Sequence, residues 1–262
     1  MADLQFRYTS DQSHQVQAID AVVNLFQGQE FLSREFSGNT SFGAQATFAV
    51  GHANGIRVSP RQLADNLHEI QEENCLARTE ELTDGRLRDF TIEMETGTGK
   101  TYVYIRSIYE LNKKYGLTKF IIVVPSVAIR EGVIKSFEST KAHFDELYDR
   151  APLDVFVYDS KNTGAVGNFA LSSSIEVMII NIQAFNKEFS KDGEENKSNL
   201  FHRRSEKLIG GRSPRELVVE CNPIVIIDEP QSVDNSKQAK AAIKSLNPLF
   251  VLRYSATHKE PY

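Results

Sequence analysis

Residues 94–101 read Met94-Glu95-Thr96-Gly97-Thr98-Gly99-Lys100-Thr101, and how this stretch folds governs the rest of the chain. Phe90-Thr91-Ile92 just before it reads as the end of a strand, and Tyr102 to Leu111 carries a helical pattern. Gly97 and Gly99 therefore fall in a strand-to-helix turn, the context a P-loop requires. Glycine lets backbone N–H groups close around phosphate oxygens without a clashing Cβ, and the helix N-terminus adds its positive dipole end. In that reading Thr96, Gly97, Thr98, Gly99, Lys100 and Thr101 form a nucleotide cradle. Lys100 reaches the β and γ phosphates, and the Thr101 hydroxyl holds Mg²⁺. The general pattern G-x-x-x-x-G-K-[ST] asks for glycine where this chain has Met94. The competing reading is a glycine-rich turn that merely caps a helix.

Working outward, 262 residues can bury a full core and suggest one or two domains. The chain is 40% hydrophobic and 25% charged, and no apolar run approaches the ~18 residues a membrane span needs. Its first residues, Met1-Ala2-Asp3-Leu4-Gln5-Phe6-Arg7, lack the basic and apolar regions of a secretory signal. Cys75 and Cys221 lie far apart without metal spacing and read as two reduced thiols, so a cytoplasmic location is expected. A net charge of −5 argues against a broad basic face that coats nucleic acid, though not against a local groove. The densest basic stretch, His202-Arg203-Arg204 through Lys207, Arg212 and Arg215, is broken by glycine, serine and glutamate and reads as a solvated loop.

Short β-branched runs alternate with helical segments, which predicts an α/β fold with a mostly parallel sheet between helical layers. Strands are expected at Asp89–Met94, Lys119–Val124, Asp154–Tyr158, Glu176–Asn181, Pro223–Asp228 and Leu249–Tyr254. Helices are expected at Asp11–Phe26, at Lys100–Lys114 closed by Gly116, at Ala128–Ser139 and at Ser236–Ser245. Two segments fit the alternation poorly. Within 28–88, Thr47–Val50 and Ile56–Val58 flank Gly51-His52-Ala53-Asn54-Gly55, a hairpin pattern because Asn-Gly supplies positive φ. A helix then starts with Ser59 as N-cap and Pro60 at its first position. The charged segment 187–215 reads as a surface insertion. We accordingly divide the chain into 1–88, the first helix with its insertion, and 89–262, the nucleotide-binding domain.

A second constellation is Ile224-Val225-Ile226-Ile227-Asp228-Glu229-Pro230-Gln231, an apolar strand that ends in two carboxylates. In a parallel sheet that end is where ligands bind. Asp228 can enter the Mg²⁺ shell, and Glu229 can accept a proton from an attacking water. Alone, a D-E pair on a loop is usually a solvated turn; four preceding apolar residues and an upstream P-loop reverse that expectation.

Together these motifs resemble the superfamily 2 helicase-type ATPases, whose P-loop is followed by D-E-x-x and by a strand ending S-A-T. Here these are Thr96 to Thr101, Asp228-Glu229-Pro230-Gln231 and Tyr254-Ser255-Ala256-Thr257. Within that superfamily, Met94 to Thr101, Asp228 to Gln231, Arg253-Tyr254-Ser255-Ala256-Thr257-His258 and Phe120 to Ile129 are similar to the Res subunit of type III restriction-modification enzymes, over roughly residues 89–262. The resemblance implies a RecA-like motor domain that binds ATP and Mg²⁺, with Lys100, Thr101, Asp228 and Glu229 in the roles above. It implies Gln231 as a sensor near the γ-phosphate, and Ser255 and Thr257 as residues that couple hydrolysis to movement. Gln15 is the candidate reader of adenine, with Gln17 in reserve, because an amide both donates to and accepts from adenine's edge; a solvent-facing glutamine is the plainer alternative. Pro125, Ser126 and Arg130 match the family's first DNA-backbone motif, and Gln183 sits in a possible second one.

For the parent protein the resemblance implies an ATP-driven translocase and endonuclease acting on double-stranded DNA with a DNA-methyltransferase partner. A type I restriction motor, a free-standing helicase and a nucleotide-gated binding module are the alternatives. A second motor domain and a nuclease motif are not visible in these residues. We therefore expect the first motor domain of a larger subunit, able to bind ATP weakly and hydrolysing it poorly alone, because an arginine finger can contribute about 10³–10⁵ in rate.

Overall fold

The computed structural model describes residues 8–31, 51–79, 89–159, 163–182, 201, 204, 208, 211–233 and 236–256. Its centre is a sheet of β1 (Asp89–Glu93), β2 (Lys119–Val124), β3 (Leu153–Val157), β4 (Ile175–Asn181), β5 (Ile224–Asp228) and β6 (Phe250–Ser255), in the order β1-β6-β5-β2-β4-β3. Every pairing is parallel. The expected strands are all present, shifted at their ends by no more than a residue or so. β2 and β5 are buried along their whole length, which is why they read as unbroken apolar runs and not as alternating ones.

Because successive side chains point to opposite faces, the same strands feed two cores. Phe120, Ile122 and Val124 pack with α1 (Ser13–Asn24), α3 (Lys100–Tyr115) and α4 (Val127–Leu147), with Leu63 of α2 (Pro60–Glu73) joining the same cluster. Ile121 and Val123 pack with α5 (Gly164–Leu171), α6 (Pro214–Glu220) and α8 (Lys237–Ser245). A short turn of helix, α7 (Pro230–Val233), follows β5. The result is a three-layer α/β domain in which α1 shares a core with the P-loop helix.

Local signals placed most element ends. Gly116 adopts φ +74° and closes α3, and Ser59 and Ser236 cap α2 and α8 by accepting from Gln62 N and Ala239 N. α4 runs past Ser139 because its buried stripe continues through Val133, Phe137, Thr140 and Phe144. It stops where Asp149 and Arg150 turn to positive φ. The segment expected to be a surface insertion is partly internal: Phe201 and Leu208 are buried in the second core, and Ser213 with Glu216 builds a capping box that starts α6.

The hairpin expected around Asn54-Gly55 does not form in the described residues. Thr47–Val50 lie outside them, Ile56–Val58 is not a strand, and neither Asn54 nor Gly55 takes positive φ. Residues 51–58 instead form a strap under the N-terminal ends of the strands. β2 pairs with β4 from Lys119 but with β5 only from Phe120, so Lys119 has no strand partner on the β5 side. The Asn54 amide fills that position: Nδ2 donates to Lys119 O at 2.7 Å, and Oδ1 accepts from Thr118 N at 2.8 Å and Lys119 N at 3.1 Å. Asn54 N donates to Cys221 O, and Gln29 Oε1 accepts from Arg57 N, so the strap is fixed at several points. A side-chain amide imitating a missing peptide satisfies buried backbone groups without any turn.

Candidate nucleotide site

The C-terminal ends of β1, β6 and β5 lie side by side, and the chain leaves each of them at one place. Met94 is the last rung of this edge, donating from its N–H to Ser255 O at 2.9 Å, and its side chain is buried in the core. The position where the general pattern has glycine is thus occupied by a core residue. The chain then turns: Gly97 has φ +82° and Gly99 φ +94°, and Thr98 Oγ1 donates to Glu95 O at 2.7 Å. Thr96 and Gly97 are exposed, whereas Lys100 at the start of α3 is buried.

Lys100 points at the acidic pair. Its Nζ is 3.5 Å from Glu229 Oε1. Glu229 itself has φ +56°, an uncommon backbone for a non-glycine residue that costs on the order of 1–3 kcal/mol. The turn is held because Glu229 N donates to Tyr254 O at 3.2 Å and Ser232 N donates to Glu229 O at 2.9 Å. Asp228, in register with Tyr254 and buried, has its carboxyl pushed up to about 6 by burial and by Glu229, with Lys100 opposing. Gln231 Nε2 donates to Glu229 Oε2, while its buried Oε1 makes no hydrogen bond.

Gln15 reaches this turn from α1. It is buried, and its Nε2 donates to Thr98 O at 2.9 Å; His14 Nε2 is 3.2 Å from the same oxygen. Gln17 points elsewhere, donating to Asn74 Oδ1. A Cβ added to Gly99 would lie 2.5 Å from Gln15 Nε2, so glycine is what allows the amide to approach so closely.

Ser126 follows β2 and caps α4, its Oγ accepting from Ile129 N at 3.3 Å. Beside it Val127 and Ile129 are exposed, and Arg130 pairs with its neighbour Glu131 at 2.8 Å. Ser255 is buried at the end of β6. Thr257 and Gln183 lie outside the described residues. Tyr104 and Tyr254 belong to this site and were not anticipated. Tyr104 is fully buried, its hydroxyl donates to Asp228 Oδ2 at 3.4 Å, and its ring meets Tyr254 edge-on at 5.5 Å. The available signal was a tyrosine three residues after Thr101, on the same helical face.

A parallel sheet that brings a G-T-G-K-T turn and a strand-borne Asp-Glu pair to one edge defines a P-loop nucleotide-hydrolase domain. The model of the family described as "Type III restriction enzyme, res subunit" matches residues 9–260, and this chain belongs to that family. It is 28% identical over 270 residues to the type III restriction-modification enzyme EcoPI Res subunit of Escherichia phage P1, a match covering 98% of this chain and 26% of that protein. It is 34% identical over 185 residues to the StyLTI Res subunit of Salmonella typhimurium, covering 63% of this chain and 18% of the relative. The chain therefore spans about a quarter or less of the length of the curated relatives it matches. Among solved structures, the SWI2/SNF2 ATPase core of Sulfolobus solfataricus in complex with dsDNA is 14% identical, with a TM-score of 0.41 over 77% of this chain and 32% of that one.

Proposed function

We propose that this chain is the ATP-binding motor domain of a Res subunit, and that in the complete assembly its ATP hydrolysis drives movement along double-stranded DNA leading to cleavage, with a DNA-methyltransferase subunit as partner. The observation that carries the reading is the meeting of Lys100 with Glu229, next to Asp228, at the P-loop turn. The family membership, and relatives named as restriction-modification Res subunits, support the DNA and methyltransferase parts of it.

In this reading the loop N–H groups of 96–101 and Lys100 hold the phosphate chain. Lys100 now neutralises Glu229; phosphate oxygens compete for the ammonium, which leaves Glu229 able to take a proton from an attacking water. The donor set around Asp228 and Thr101 suits Mg²⁺: a carboxylate and a hydroxyl offer hard oxygens, and few protein ligands are the rule for a cation that keeps waters and phosphate oxygens. Bound there, the cation would offset charge on the phosphates. Gln231, with one amide oxygen unpaired, stands beside Glu229 to sense the terminal phosphate. Gln15 would read adenine, and Ser255 with Thr257 would pass the state of the site along β6, which lies between β1 and β5. Pro125, Ser126, Arg130 and Gln183 remain proposed backbone contacts to DNA.

The test is Glu229→Gln in the complete subunit. ATP turnover should fall about 10²–10⁴-fold, the usual contribution of a positioned general base, with nucleotide binding retained. Turnover insensitive to the change refutes the water-activating role. Retained ATP-dependent partner binding in a protein that never hydrolyses would favour a nucleotide-gated switch.

A further inference from the structure

Two side chains proposed to face the cation, Thr101 and Asp228, come from different elements, and one buried group lies on the helix of the first and touches the second. Tyr104 lies three residues after Thr101 on α3, so the two share a face of the helix. The Tyr104 phenol donates to Asp228 Oδ2 at 3.4 Å, so a group on the helix of Thr101 holds the carboxylate at the end of β5. With one oxygen facing the phenol, the carboxylate has its other oxygen to offer a cation.

The ring is held so that this contact has little freedom. Tyr104 is fully buried, and Tyr254, also fully buried, packs edge-on against it at 5.5 Å. Tyr254 is in register with Asp228 and its carbonyl accepts from Glu229 N. Movement of the acidic turn is therefore felt by the same aromatic pair. An O–H···O contact of 3.4 Å is long and contributes little stability by itself, so the hydroxyl's value lies in orientation.

We infer that Tyr104 is a positioning residue that orients the Asp228 carboxylate for Mg²⁺. The inference rests on the proposed assignment of Asp228 to the cation. The experiment uses the 262-residue chain, a fluorescent ATP analogue, and titrations with and without Mg²⁺. Tyr104→Phe keeps the ring and removes the hydroxyl that meets Asp228. Its affinity for the analogue in excess chelator should match wild type, while the Mg²⁺ concentration needed for half of the Mg²⁺-dependent gain should rise about tenfold, as for other groups that orient metal ligands. Tyr115→Phe, which removes another buried hydroxyl from α3, one that donates to Val23 O and does not meet the acidic pair, should leave the Mg²⁺ dependence unchanged.

An unshifted Mg²⁺ dependence in Tyr104→Phe overturns the inference and leaves the nucleotide reading intact. Equal losses with and without Mg²⁺, an equal shift in Tyr115→Phe, or a Tyr104→Phe chain that no longer folds would each assign the hydroxyl to packing and overturn it too. A wild-type chain whose nucleotide binding ignores Mg²⁺ fails the underlying assignment instead.

Discussion

Replacing Asn54 by alanine should destabilise the domain more than any other polar truncation outside the nucleotide site. Asn54 is 3% exposed, and its amide is the partner of Lys119 N, Lys119 O and Thr118 N. Thr118 is half-buried, so water can replace that bond. Lys119 is fully buried, and its two backbone groups are left without partners. A buried unsatisfied group costs about 1–3 kcal/mol, so two of them predict a loss of about 2–6 kcal/mol. Against a usual total of about 5–15 kcal/mol this is a large fraction. Urea unfolding of the 262-residue chain, followed by far-UV circular dichroism at pH 7, reads the loss as a shift in midpoint at constant slope. Asn54→Asp is the sharper companion: it keeps the acceptor but turns an oxygen toward Lys119 O and buries a charge. Its loss at pH 7 should equal or exceed that of alanine, and shrink relative to alanine as pH falls and the carboxyl becomes a donor. A loss below about 1 kcal/mol for Asn54→Ala would refute the reasoning, since it would mean that β2 keeps its end without the strap.

Lys119 Nζ is buried beside Ser172 O at 2.5 Å, and burial pulls its ammonium down to about 8, with Cys221 and Glu176 opposing. Between pH 8 and about 10.5 the unfolded chain binds the extra proton, so wild-type stability relative to Lys119→Met should rise over that window; a pH-independent difference between the two denaturation curves contradicts it. Gln15→Ala should reduce ATP-over-GTP preference about tenfold in competition binding, the scale of one lost hydrogen bond to the base. An unchanged preference would confine Gln15 to bracing Thr98. Gly99→Ala introduces a Cβ at φ +94°, and should lower thermal stability by about 1–3 kcal/mol for the backbone alone. Because the Gln15 amide is the flexible end of a side chain, the steric part is smaller, and a Gly99→Ala protein as stable as wild type would show that the turn relaxes.

The centre of the sheet was legible because β2 and β5 are buried on both faces, which turns Lys119–Val124 and Ile224–Asp228 into apolar runs with little alternative use. The P-loop turn and the Asp228-Glu229 pair were legible because each sits at a strand end. What the sequence concealed depends on partners distant along the chain. Asn54-Gly55 has the composition of a hairpin turn, and nothing local says that the Asn54 amide is claimed by Lys119. Met94 looked like a departure from a glycine pattern until the fold placed its side chain in the core and its N–H on Ser255. Tyr104 was hidden for a related reason: in a helix rich in Tyr and Ile it reads as core, and only the return of β5 brings Asp228 to its hydroxyl.

Burial of polar side chains alone would not have separated site from scaffold. Asn54 and Lys119 are as buried as Asp228 and Lys100, yet they sit at opposite ends of the sheet and behave differently. At the N-terminal end Asn54 makes three hydrogen bonds to fixed backbone atoms, and Lys119 Nζ has a backbone carbonyl at 2.5 Å. At the C-terminal end two key contacts are longer and run between side chains, Lys100 to Glu229 at 3.5 Å and Tyr104 to Asp228 at 3.4 Å, and a Gln231 oxygen makes no hydrogen bond. Buried groups that serve stability are satisfied by their own backbone, because leaving them unpaired costs energy in the resting fold. Groups meant for a ligand are held in place but left with spare capacity. By that measure the end of the sheet carrying Lys100, Asp228, Glu229 and Gln231 has the spare capacity that the proposed ATP and Mg²⁺ would use, while the strap end is complete as it stands.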